Sequence, residues 1–235
     1  MAERPVYIPA PDDPELVKVI SFNLVWNSGF APVQKKKNIK ALHEAAAAAG
    51  YSPLLEISTK ADGKLGQHLS AFHLKVHSKR SGDIPLECAF QGSKVFERGG
   101  PYTDLYFSDV RAAKRAPRLQ TSGKIVGFDF DGFSFPLEPK TVFYDWLYIN
   151  AIFEHREWLK SHLCQYSGFT DIEFNPARSI NCQARSCALF AALMSNDLLE
   201  KAVKSPRAFI DLISGRSYRE PQRTDNPHNH ELFPK

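Results

Sequence analysis

The chain has 235 residues, 43% of them hydrophobic and 24% charged, proportions of an ordinary globular protein that exclude disordered, collagenous and disulfide-framework classes. One sizeable core is expected, since folded units tend to split only above roughly 250 residues. With 30 Lys+Arg against 26 Asp+Glu the net charge is +4, a sign that permits an anionic partner, and no stretch approaches the roughly 20 apolar residues of a bilayer-crossing helix, so no membrane role is expected.

The opening Met1 to Asp13 is polar and proline-rich, without the apolar centre of a secretion signal, which makes a cytoplasmic location the expectation. Pro5, Pro9, Pro11 and Pro14 forbid a helix, so residues 1–14 read as a flexible N-terminal segment and order is expected from Leu16. Leu16 to Val25 is a dense β-branched and aromatic run that suits a buried strand. Asn38 to Ala49 follows as an alanine-rich helix with Ile39, Leu42, His43 and Ala46 on one face, stopped by Gly50, and Leu54 to Ser58 reads as a short strand. Residues 86–97 have helical character up to the breaker Gly99-Gly100-Pro101, and Asp109 to Arg115 suits another short helix. Lys124 to Leu137 is the clearest hairpin, turning at Asp131-Gly132. Helical spacing returns over 141–164, a pair of helices is expected over 183–214, and the polar tail 216–235 is expected to be mobile. The fold class is therefore α+β, helix-rich, with a short β-hairpin and small strands, as a single domain over 15–215.

Cys88, Cys164, Cys182 and Cys187 contain no Cys-x-x-Cys pair and are read as reduced thiols. Neither His73 with His77, nor His228 with His230, nor Cys182 with Cys187 has the ligand set of a zinc site, and Asp129 and Asp131 fit turn chemistry better than magnesium, so no metal and no cofactor is expected. Phosphate-loop, nucleophile-elbow and dinucleotide fingerprints are missing too. Within Leu86-Glu87-Cys88-Ala89-Phe90-Gln91-Gly92-Ser93-Lys94, a helix would place Glu87, Gln91 and Lys94 on one face. Such a stripe is either a solvated polar face with a weak Glu-Gln-Lys interaction or one wall of an active site. Lys35-Lys36-Lys37 ahead of a helix opposes the macrodipole, which is either a solvated charge run or a contact for phosphate or nucleic acid.

Leu69-Ser70-Ala71-Phe72 followed by the 86–94 segment resembles the paired "SNF" and "SxExxxQxxK" motifs of the NADAR superfamily, which includes YbiA-like proteins. Phe169 to Asn175 resembles its C-terminal acidic motif, and Asn181-Cys182-Gln183-Ala184 the turn that follows, so the likeness covers about residues 17–200. Trp26-Asn27-Ser28-Gly29-Phe30, Gln34 to Lys37, His43 and the block Phe143 to Tyr148 look like the divergent branch found beside DarT-type toxins, which ADP-ribosylate bases in DNA. Ala71 stands where the family has asparagine, Leu86 where it has serine, and the C-terminal Trp-Gly pair is missing.

That resemblance implies a NADAR domain acting as an antitoxin, an ADP-ribosylglycohydrolase that removes ADP-ribose from guanine in DNA. The implied partners are ADP-ribosylated DNA, ADP-ribose as product and a cognate DarT-type toxin. Glu87 is then a positioning or acid/base group, Lys94 a nucleophile or electrostatic partner, and Asp171 with Glu173 stabilisers of charge at the anomeric carbon. Trp26, Phe30, Phe72 and Trp146 become candidate stacking walls beside Ser28 and Gly29. Ser70, Gln91 and Asn181 are candidate hydrogen-bonders, and Lys35 to Lys37 candidates for diphosphate or DNA backbone. Rival readings are a non-catalytic antitoxin that masks toxin or modified DNA, an N-glycosidase acting on a small nucleotide or riboflavin-pathway intermediate, and an ADP-ribosyltransferase.

Overall fold

The computed structural model describes residues 1–29 and 31–215, so the expected mobile tail and Phe30 lie outside the described residues. Its first element corrects the reading of the opening segment: Ala2–Ala10 is a nine-residue strand, β1. It pairs antiparallel with β2, Leu16–Leu24, through nine registered positions, including Pro5↔Ser21 and Pro9↔Val17. Prolines at alternating positions delete amides on only one side of a strand. Pro5 and Pro9 flank Tyr7, the single β1 residue registered with the neighbour on the other side, so the β2 ladder runs unbroken past both.

That neighbour is β9, Gly168–Thr170, which runs parallel to β3, Leu54–Glu56, and completes a sheet of order β2-β1-β9-β3. β2 is an edge strand, with Lys18, Val19, Ser21 and Asn23 exposed, and not the buried one its composition suggests. Side-chain alternation gives the sheet two apolar faces. Val6 and Leu54 turn to helix α1, Pro32–Ala48, where they meet Ile39, Leu42 and Ala46. Tyr7, Leu55 and Phe169 turn the other way, to the main core.

That core is built on α6, Val142–Phe153, and α8, Gln183–Ser195, whose residues 183–193 are all buried. An ion pair inside it ties the two helices: Arg185 Nη1 donates to Asp145 Oδ2 at 2.6 Å and Ser186 Oγ to Asp145 Oδ1 at 2.6 Å. α7, Arg156–Leu163, continues from α6. The expected last pair of helices is three, α8, α9 (Leu199–Val203) and α10 (Pro206–Ser214). The chain breaks at Asp197, with φ +54°, and again at Ser205, whose side chain caps α10 ahead of Pro206.

Between β3 and α6 lie the short α2, Lys64–His68, and the hairpin β4, Lys75–Ser78, with β5, Gly82–Pro85, which feeds directly into α3, Leu86–Gly92. β6, Lys94–Phe96, then joins β7, Ile125–Phe130, and β8, Phe133–Phe135, in a second sheet, with the small helices α4, Val110–Lys114, and α5, Arg118–Thr121, crossing between them. The hairpin turns where its dipeptide predicts: Asp131 and Gly132 both have positive φ, and Phe130 pairs with Phe133. Among the described residues no helix is long and apolar enough to cross a membrane.

Gly168 shows how tightly β9 is inserted. A Cβ there would stand 2.4 Å from Ile8 Cδ1, 3.0 Å from the Tyr7 carbonyl and 3.2 Å from Leu54 Cδ2. Gly168→Ala is expected to push β9 off its neighbours and cost about 1–3 kcal/mol, read as a lower midpoint in denaturant unfolding.

Candidate functional site

A cleft of about 870 Å³ opens between the two sheets, with α3, Lys94 and Phe128 on one wall and the segment Asp171–Asn181 on the other. Tyr144 of α6 and Gln183 of α8 also line it. Of the residues singled out in the sequence, Trp26, Lys35, Phe72, Glu87, Gln91, Lys94, Asp171, Glu173 and Asn181 line this one cleft.

Glu87, Gln91 and Lys94 do converge, but not on one helix as the spacing predicts. α3 stops at Gly92, where a Cβ would meet the Tyr106 ring at 2.7 Å, and the Ser93 carbonyl accepts the Asp129 amide at 2.8 Å. Ser93 is thereby committed to the second sheet, and Lys94 begins β6 opposite Phe128. Its side chain still turns back: Lys94 Nζ donates to Gln91 Oε1 at 2.6 Å, and Gln91 Nε2 donates to Glu87 Oε1 at 2.8 Å. Lys114 Nζ stands 3.8 Å from the same Glu87 oxygen. The Lys94 ammonium is held over the Phe90 ring at 4.9 Å and is largely buried. Burial, with Lys114 nearby, lowers its pKa to about 8, while Glu87 opposes the shift.

On the opposite wall Asp171 is 7% exposed. The amides of Glu173 and Phe174 donate to its Oδ1 at 3.0 and 3.2 Å, and Gln183 Nε2 donates to Oδ2 at 3.0 Å. Burial first, and the Glu56 carboxylate second, raise its pKa to about 8. Glu56, which the sequence did not mark, ends β3 where Asp171 follows β9. It accepts from Ser58 Oγ at 2.7 Å, Thr170 Oγ1 at 2.7 Å and the Ile172 amide at 2.9 Å. Burial raises its pKa, and these three donors oppose the rise. Since Thr170 donates to Glu56, its oxygen accepts from His43 Nε2, 2.9 Å away. His43 thus fixes the far end of this network from α1.

The remaining candidates sort by helix phase and burial. Trp146 packs on Phe130 and Phe135 at 5.9 and 5.2 Å in the aromatic core, whereas Tyr144 faces the cleft edge-on to Phe90 at 5.2 Å. Two residues along a helix is about 200° of rotation, so both cannot face the same space. Ser70 is fully buried and donates to Gln183 Oε1 at 3.3 Å, which places it behind the wall. Ser28 and Gly29 are exposed and do not line the cleft. The lysine run does not precede α1 but lies inside it, because the helix starts at Pro32. Successive residues diverge by about 100°, and Lys35 faces the cleft while Lys37 faces a separate hollow with His43 and Asp62. Glu173 is exposed at the rim, where Thr59 Oγ1 donates to it at 3.5 Å.

Residues the sequence reading missed are Arg4, Glu56, Tyr144, Lys114 and Gln183. Gln183 stood inside the quoted turn, and Tyr144 inside the aromatic block, so helix phase would have found both. Overall the cleft gathers six cationic side chains, those of Arg4, Lys35, Lys94, Lys114, Lys140 and Arg178, against four carboxylates. That excess suits an anionic ligand. Two buried polar atoms on its lining, Arg4 Nε and Asn181 Oδ1, have no hydrogen-bond partner among the described residues. They are a donor and an acceptor that the fold leaves unpaired beside the cleft.

Glu56→Gln removes a negative charge beside Asp171 while keeping an acceptor for the Ile172 amide. The Asp171 pKa is expected to fall below about 8, measured by carboxyl-carbon NMR titration; an unmoved value would show burial alone to be responsible.

The family model described as "DarT1-associated NADAR antitoxin" matches residues 2–223. No curated protein matches the chain.

Proposed function

Because the chain belongs to the DarT1-associated NADAR antitoxin family, we propose that it acts as an enzyme, an ADP-ribosylglycohydrolase that hydrolyses the N-glycosidic bond between ADP-ribose and guanine in DNA. One observation carries this reading: Lys94 and Asp171, each with a pKa near 8, line the same cleft. Near neutral pH an amine that is partly free of its proton and a carboxylic acid that retains one are then available together.

The reaction needs both. A base nitrogen leaves the anomeric carbon well only if it takes up a proton, and Asp171 is the acid. The carbon it leaves must be stabilised or captured, and the neutral Lys94 amine supplies an electron pair. In the covalent route Lys94 Nζ bonds to the anomeric carbon, the ribose ring opens to an imine, guanine departs with the proton, and water then adds to the imine carbon to free ADP-ribose and the amine. Glu87, through Gln91, orients Lys94, and its negative charge offsets positive charge developing across the cleft. Tyr144 and Phe90 are the aromatic walls nearest this chemistry, with Phe72, 42% exposed, at the mouth beneath Lys114. The scissile bond must reach Lys94 and Asp171 inside the cleft, so the modified base must be unpaired or flipped to enter.

Incubation of the protein with a guanine-ADP-ribosylated oligonucleotide, followed by mass spectrometry, is expected to release ADP-ribose. Lys94→Ala and Asp171→Asn should each slow release by about 10²–10⁴-fold, and borohydride should trap a wild-type adduct that Lys94→Ala lacks. Binding of the oligonucleotide without release would instead favour an antitoxin that masks the modified DNA. The pH dependence has a defined sign. Raising pH frees Lys94 of its proton and increases the rate, then strips Asp171 and decreases it. A maximum near pH 8 is expected, with a limb on each side falling about tenfold per unit.

A further inference from the structure

Arg4 belongs to a part of the chain that sequence alone assigns to a loose end, yet its side chain is built into the cleft. β1 pairing sets it opposite Phe22, and its guanidinium lies 4.4 Å from the centroid of the Trp26 ring. Lys35, arriving from α1, brings its Nζ to 5.8 Å from the same ring. Two cations are therefore gathered at one indole. Among the described residues neither has a carboxylate within ion-pair distance, and Arg4 Nε is buried without a hydrogen-bond partner. Arg4 donates one bond, from Nη1 to the Glu3 carbonyl at 2.8 Å. Burial disfavours the charged Arg4 guanidinium, Asp171 favours it, and the Trp26 face adds a cation–π attraction. Neither cation is ion-paired among the described residues, so both can meet an anion with several acceptor oxygens.

We infer that Arg4 and Lys35, gathered at Trp26, form the subsite for the diphosphate of a nucleoside-diphosphate ligand. A diphosphate carries acceptor oxygens on two linked phosphates, so it can meet a planar guanidinium fork and a lysine point charge at once. The stacking of Arg4 on Trp26 limits the motion of the guanidinium before the ligand arrives, which reduces the entropy lost on binding. This assignment removes Trp26 from the base-stacking walls, because Arg4 already occupies its ring. It also orients the ligand. Arg4 is carried by β1, which pairs with β9 just ahead of Asp171, so the diphosphate subsite lies on the Asp171 side of the cleft, across from the Glu87, Gln91 and Lys94 wall. A ribose attached to that diphosphate would reach toward the space between Asp171 and Lys94.

The subsite rests on reading the cleft as an ADP-ribose site, and binding can be tested apart from turnover. Isothermal titration of the full chain with ADP, inorganic pyrophosphate and adenosine separates the phosphate contribution from the base. Wild type is expected to bind ADP more tightly than adenosine by tenfold or more. Arg4→Ala should weaken ADP and pyrophosphate by tenfold or more and leave adenosine unchanged. Arg4→Lys keeps the charge and loses the fork and the stacking, so it should recover only part of the affinity, and it serves as the test should Arg4→Ala fail to fold. Lys40→Ala, on the exposed face of α1, removes one positive charge outside the cleft and should change nothing. A folded Arg4→Ala protein that binds ADP like wild type, or a wild type that binds adenosine and ADP equally, overturns the subsite. Release of ADP-ribose from modified DNA alongside undiminished ADP binding by Arg4→Ala would sink the subsite and leave the enzymatic reading intact. ADP binding that depends on Arg4 in a protein that releases nothing would do the reverse.

Discussion

The carboxamide of Gln183 is the point on which the cleft depends. Its Nε2 donates to the Ile57 carbonyl at 2.7 Å and to Asp171 Oδ2 at 3.0 Å, and its Oε1 accepts the Ala71 amide at 2.7 Å. One side chain on the first turn of α8 therefore joins the end of β3, the segment after β9 and the 69–72 turn, which are more than a hundred residues apart from one another or from it in places. A carboxamide suits this position because it has two donors and an acceptor fixed at the ends of a planar group. With no charge of its own, it can meet a buried carboxylate without forcing that carboxylate to ionise. An arginine or lysine at the same place would favour the charged form of Asp171 and pull its pKa down.

Charge management follows from that choice. Glu56 and Asp171 are buried side by side, and no cation pairs with either among the described residues. Burying two carboxylates in that way would be costly if both were ionised. Each carboxyl accepts three hydrogen bonds, and burial raises the pKa of both, that of Asp171 to about 8 with Glu56 adding to the rise. On the facing wall the arrangement is reversed. Lys94 is offered an acceptor from neutral Gln91 and an aromatic face, and Glu87 acts on it both through that amide and by its charge. Both groups are buried enough to lose part of their charge, and each neutral form is the one that the proposed bond cleavage needs. The buried ion pair of Arg185 with Asp145 shows that this fold can neutralise a buried carboxylate directly when structure is the purpose.

How much of this could be read from the sequence depended on whether an interaction was local. The Asp131-Gly132 hairpin, the short helix within 109–115 and the strand at 54–56 followed from short-range turn and propensity rules. Glu87, Gln91, Lys94 and Asp171 were legible through a motif likeness, and the cleft does bring them together. The helical spacing offered for the first three was wrong in detail, since Lys94 lies beyond the helix end and returns by side-chain reach. Glu56 and Arg4 were invisible for a different reason. Glu56 matters because a parallel strand pairing sets it beside Thr170, and Arg4 because a proline-bearing strand reaches the cleft from the far end of the chain. Proline as a strand-breaker is a rule about central ladders, and here both prolines fall on the side of β1 that is scarcely paired.

The same topology links the two halves of the site mechanically. β9 is held between β1, which carries Arg4, and β3, which ends in Glu56, and Asp171 follows its last residue. Any displacement of β9 therefore shifts Asp171 relative to the guanidinium on one side and the buried carboxylate on the other. Gly168 permits the close approach that fixes this spacing, and the His43, Thr170 and Glu56 chain anchors it to α1. Lys35 sits on that same helix, so both cations at Trp26 are carried by elements in contact with β9 or its hydrogen-bond network. A ligand that bridges Arg4 and Lys35 would restrain β1 against α1, and in the proposed reaction would hold Asp171 in place when its proton is required. Ligand binding and acid positioning are then one structural event, because the strand that presents the acid is packed between the elements that hold the anion.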